Sequence, residues 1–91
     1  MKLLHRAKPI GIITNVVPED TGFAGDLELL PAAEPFKPLF DFLVDEERIN
    51  EEPPFSEQIL DGWSIEDDQG TNRPIWAPAI HDSYRLILWR W

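Results

Sequence analysis

The chain contains no cysteine. A disulfide framework, a thiol nucleophile and any thiolate-ligated zinc or iron–sulfur site are therefore excluded, and a reducing, cytoplasmic location is the expectation. Long apolar runs are also missing, since none approaches the roughly 20 residues that a membrane-spanning helix needs. The opening Met1-Lys2-Leu3-Leu4 is interrupted by His5, Arg6, Lys8 and Pro9 before a signal-type apolar region develops, so no secretion signal and no membrane partner are expected. Bases are scarce, with 8 Lys and Arg against 17 Asp and Glu and a net charge of −9. Phosphate backbones need clustered Lys and Arg, so direct nucleic-acid binding is disfavoured.

What is present is a 91-residue chain of which 43% is apolar. Folding at this length buries roughly 64% of the unfolded surface, enough for one modest core, so residues 1–91 are read as a single small acidic domain. The acids concentrate. Between Asp41 and Asp68 only Arg48 opposes Asp41, Asp45, Glu46, Glu47, Glu51, Glu52, Glu57, Asp61, Glu66, Asp67 and Asp68.

Pro9 to Val17 is rich in β-branched residues and reads as a first strand closed at Pro18. Glu19-Asp20-Thr21-Gly22 supplies a turn, and the alternation of Phe23, Gly25, Leu27 and Leu29 reads as a second strand forming a hairpin with the first. Phe36, Leu39, Phe40, Leu43 and Val44 fall at helical spacing, predicting a helix that starts near Pro35 or Pro38 and ends between Val44 and Ile49. Pro53-Pro54 forbids its continuation, Ser56 is placed to cap one turn holding Ile59 and Leu60, and Asp61-Gly62 stops it. Three further strands are expected at Trp63–Glu66, Arg73–Ile80 and Tyr84–Trp91, with turns at 67–70 and 81–83 and with Pro74 and Pro78 confining the middle one to an edge. The predicted fold is α+β, an antiparallel sheet of about five strands in the order β-β-α-β-β-β with one main helix on one face.

The Gly11-x-Ile13-x-Asn15-Val16 strand, the Phe23-x-Gly25-x-Leu27 strand, Phe36-x-Pro38-Leu39-Phe40 and the ending Trp89-Arg90-Trp91 together resemble small bacterial single-domain proteins of uncharacterised function. The resemblance implies a compact bacterial domain. It carries over no site residue.

No catalytic residue, metal ligand or cofactor is read from the sequence. His81-Asp82-Ser83 holds three triad residue types as immediate neighbours, whereas working triads are assembled from separated segments, so a hairpin turn is the better reading. His5 falls in an N-terminal segment expected to be poorly ordered. Glu66-Asp67-Asp68-Gln69-Gly70 lacks the register of a calcium loop and reads as a turn. The abundant carboxylates lack material for a cleft and read as a solvated face.

Two functions follow as expectations. The first is a protein-binding module whose acidic face, residues 41–68, blocks a basic partner protein in the manner of an immunity protein, an antitoxin or a nucleic-acid-mimic inhibitor, with Glu46, Glu47, Glu51 and Glu52 for attraction and Phe55 and Trp63 as apolar anchors. The alternative is an accessory or structural subunit forming a homodimer through the Trp-rich C-terminal strand, with Ile87, Trp89 and Trp91 as its edge. A small enzyme or ligand-binding protein using His81 ranks below both.

Overall fold

The computed structural model describes residues 1–45, 47 and 55–90. Seven strands form one antiparallel sheet: β1 (Lys2–His5), β2 (Lys8–Glu19), β3 (Gly22–Leu29), β4 (Trp63–Glu66), β5 (Asn72–Pro74), β6 (Ala79–His81) and β7 (Leu86–Trp89). Their spatial order is β5-β4-β1-β2-β3-β7-β6. Between β3 and β4 lie a 3₁₀ segment, Pro31–Phe36, and two short helices, α1 (Lys37–Leu43) and α2 (Glu57–Leu60).

This corrects the expected five-stranded order. The added N-terminal strand, β1, pairs with β2 on one side and β4 on the other, joining the two halves of the chain. It is connected to β2 by Arg6-Ala7, both left-handed at φ 49° and 68°. A two-residue hairpin loop needs that conformation, and because neither residue is Gly or Asn the turn left no sequence signal. The expected strand across 73–80 is instead two strands, β5 and β6, separated by Ile75–Pro78. The predicted hairpin of the first two strands is present, closed by Glu19 opposite Gly22. Pro18 does not end its strand, for it pairs with Phe23 near the tip. Gly22 is required there, since a Cβ would collide with the Trp89 carbonyl oxygen on β7.

The ends of the sheet cannot lie flat. Seven strands at about 4.8 Å spacing would hold the two edge strands about 29 Å apart. Yet β5 and β6 are joined by four residues, which span at most about 18 Å between Pro74 and Ala79. The sheet curls to meet this limit, and the linking strap stitches both sides: the Ile75 N–H donates to the Trp63 carbonyl at 3.0 Å and the Trp76 N–H to the Arg90 carbonyl at 3.4 Å.

Six of the seven strands contribute to the core inside this curl, through Leu3, Ile13, Leu27, Trp63, Ile65, Ile80, Ile87 and Trp89, with Ile10 beside them. The 3₁₀ segment packs on β2 and α1 on β6. Leu39 and Phe40 of the predicted helical stripe are fully buried, and Phe36 and Leu43 pack at its margin. Phe42, outside that stripe, is buried as well and meets Phe55 edge-on at 5.8 Å. Among the described residues no helix is long and apolar enough to cross a membrane.

Candidate functional site

Among the described residues the acids of the run are spread over several elements: α1 and its end, α2, and the β4–β5 turn. Glu66 ends β4 and Asp67 and Asp68 sit in the β4–β5 turn, at the far end of that strand from Asp61. Two of these carboxylates have structural tasks. Asp67 Oδ1 accepts the N–H groups of Gln69 and Thr71, both at 2.9 Å, and Asp68 pairs with the amino group of Met1 at 3.1 Å. Gly70 at φ 82° completes the turn, in agreement with the turn reading of this segment. At α1, the Asp41 carboxylate is taken by the Tyr84 hydroxyl, 2.8 and 3.0 Å from its two oxygens.

The remaining described acids lie along the helices. Asp45 and Glu47 follow α1, and the Glu47 N–H donates to Asp45 Oδ1 at 3.0 Å. Glu57 and Asp61 bound α2, and both are exposed. Glu47, Glu57 and Asp61 form no ion pair with another described residue. Glu46, Glu51, Glu52 and Trp91 lie outside the described residues.

The two proposed apolar anchors have interior roles. Trp63 is 2% exposed, its Nε1–H donates to the Ile59 carbonyl at 3.0 Å, and its ring packs against Phe36, Phe40 and His5. It fastens α2 to the sheet. Phe55 is half-buried on Phe42. Ile87 and Trp89 are also in the core, on a strand flanked by β3 and β7's other neighbour β6, so they do not form a sheet edge.

His5 was expected in a loose terminus but is buried in β1, with ring centroids of Phe36 and Trp63 each at 4.7 Å. Its Nε2 lies 3.1 Å from the Gln58 carbonyl, which can only accept, so Nε2 carries the proton. Arg6 Nε donates to the same carbonyl at 3.1 Å. Sequence reasoning missed this anchor of α2 because burial of His5 depends on the unrecognised β1.

A second unforeseen cluster surrounds the β6–β7 turn. Asp82, Ser83 and Tyr84 are consecutively left-handed at φ 54°, 56° and 69°, an arrangement that L-residues adopt at a cost. The turn predicted at His81-Asp82-Ser83 lies instead over residues 82–85, with His81 ending β6 and the last strand starting at Leu86 rather than Tyr84; His81, Asp82 and Ser83 are exposed. Tyr84, Ser83 and Arg85 line an open groove of about 540 Å³ with Asp26, Glu28 and Lys37. Lys37 Nζ lies 5.2 Å above the Tyr84 ring and 2.9 Å from Glu34. The hydrogen bond to Asp41 raises the Tyr84 pKa above its ordinary 10.0, and the hydrogen bond to Glu34 raises that of Lys37 above 10.5. Among the described residues no group of three or more His, Asp or Glu could hold a metal ion.

A third feature, Trp76, lies on the strap between the sheet edges and is 70% exposed. It borders a cleft of about 300 Å³ with Glu19, Thr21, Phe23, Trp89 and Arg90. Its direction was illegible in sequence because it follows from the strap rather than from a regular strand.

No protein-family model matches the chain, and neither curated proteins nor solved structures provide a significant match.

Proposed function

We propose that this chain is a protein-binding module that docks a basic partner protein against the acids of α2 and of the segment leading into it. Glu47, Glu57 and Asp61 supply the attraction together with Glu46, Glu51 and Glu52 of the same run, and docking blocks the partner as an immunity protein, antitoxin or nucleic-acid-mimic inhibitor does. The observation that carries this reading is the excess of acids over bases in this run and the absence of ion pairs on its exposed described members, although Arg6 approaches α2 at the Gln58 carbonyl. Arg48 is the only base between Asp41 and Asp68, and the exposed Glu47, Glu57 and Asp61 form no ion pair among the described residues. Such excess negative charge accelerates association with a surface of opposite sign and repels phosphate backbones.

The test is a pull-down from lysate of the source organism, comparing the natural chain with a variant carrying Gln at Glu46, Glu47, Glu51 and Glu52, followed by affinity measurements across ionic strength. One stoichiometric basic protein captured by the natural chain alone, with a Kd that rises steeply with salt, is expected. Equal capture by the variant, or salt-independent affinity, would overturn the reading.

A further inference from the structure

Trp76 is an aromatic side chain that the backbone forces into water. Ile75 and Ala77 on either side pack against the core, and Pro78 is fully buried. With these neighbours partly or fully buried, Trp76 is the one residue of the strap left turned to solvent. Pro74 and Pro78 restrict the backbone around it, and the hydrogen bonds from Ile75 and Trp76 to Trp63 and Arg90 pin the strap to both sides of the sheet. The backbone that carries the ring is therefore held in place before any partner arrives. Pre-organisation of this kind lowers the entropy lost on binding, and Trp is among the residues most enriched at energetic centres of interfaces.

Its surroundings indicate the character of the partner. The β2–β3 tip carries exposed Glu19 and Asp20, and Glu19 and Thr21 border the same cleft as Trp76. On the other side, the Ile75 N–H reaches Trp63, which follows Asp61 and Gly62 directly in the chain. The strap thus adjoins α2, one base, Arg90, borders the cleft, and the chain as a whole carries −9.

We propose that Trp76 is the apolar anchor of the interface, inserted into a recess on a basic partner protein while acids of the β2–β3 tip and α2 engage the cations around that recess. This rests on the acidic docking reading and moves the anchor from Phe55 and Trp63 to the strap. Stacking on a nucleic-acid base is disfavoured, because the phosphates would meet Glu19, Asp20 and the net negative charge.

The experiment uses the full chain with Trp76→Ala and Trp76→Phe and the basic partner isolated with the natural chain. The expected result is a Kd weakened about tenfold or more by Trp76→Ala, partial recovery in Trp76→Phe, and thermal midpoints close to that of the natural chain, because the ring is exposed. Unchanged affinity in Trp76→Ala overturns the anchor and leaves the acidic docking standing. Failure of the natural chain to capture any basic partner overturns both. Single-stranded DNA oligonucleotides and a glycan array are run as separate probes, and Trp76-dependent binding to either without a protein partner assigns the ring to another ligand class and overturns the proposal.

Discussion

Tyr84 is the only tyrosine in the chain, so its ionisation can be followed without interference from another phenol. Its hydroxyl donates to Asp41, and that bond exists only while the phenol is protonated. The folded state therefore favours the neutral form and raises the pKa above 10.0, with the Asp41 charge and partial desolvation acting in the same direction. By linkage, the stabilising contribution is fully present below pH 10.0 and disappears as pH climbs through the raised value. Lys37, held protonated by Glu34, loses its contribution above 10.5 in the same sense. An absorbance titration of the phenolate should give a midpoint above 10.0 in the natural chain and one closer to 10.0 in Asp41→Asn. An unshifted midpoint in the variant would show that Asp41 does not hold the hydroxyl in solution.

Short elements in this fold rely on left-handed residues in place of glycine. The Arg6-Ala7 loop sets the register of β1 on β2, and Asn15 at φ 53° lies where the β2–β3 pairing shifts register. Asn15 Nδ2 donates to Asp26 Oδ2 at 2.7 Å, bridging the two strands at that irregularity. Ala gains nothing comparable at φ 68°, where its Cβ crowds the backbone. Ala7→Gly is therefore expected to raise stability by about 0.5–1 kcal/mol, the relief of Cβ crowding exceeding the added backbone entropy of Gly in the unfolded chain. The measurement is the urea midpoint at unchanged m-value, and a lower midpoint would contradict the argument. These turns also explain which elements were legible. Phe23 to Leu29 announced itself by alternation and Leu39-Phe40 by helical spacing, whereas β1 is a four-residue strand whose turn contains no residue that advertises a positive φ. The candidate site divides similarly: the acidic run is visible by counting, but the tasks of Asp41 and Asp68 depend on partners distant in the sequence, and that of Asp67 on local backbone geometry.

At the scale of the whole molecule, four residues decide how far the sheet curls. Lengthening Ile75–Pro78 by four Gly and Ser residues between Trp76 and Ala77 would lift the distance limit between β5 and β6. Amide exchange should then accelerate first in these two strands, while β1, β2 and β3, paired on both sides, keep their protection. Uniform loss of protection would mean that the strap is needed for the entire core. The same strap carries the exposed Trp76, which ties the proposed anchor to closure of the sheet.

Composition alone determined that the chain carries no thiol chemistry, that its charge is strongly negative, and that most of its acids fall within one stretch, because these properties depend only on which residues occur and in what order. Local periodicity likewise determined the β2–β3 hairpin and the buried Leu39 and Phe40. Tertiary structure decided the seven-strand order, the burial of His5, Trp63 and Trp89, the spread of the described acids over several elements, and the exposure of Trp76. The physical reason is that these depend on non-local pairing and on the short span between the sheet edges, whereas hydrophobicity reports only that a side chain favours burial, not whether the closed sheet has an interior position for it.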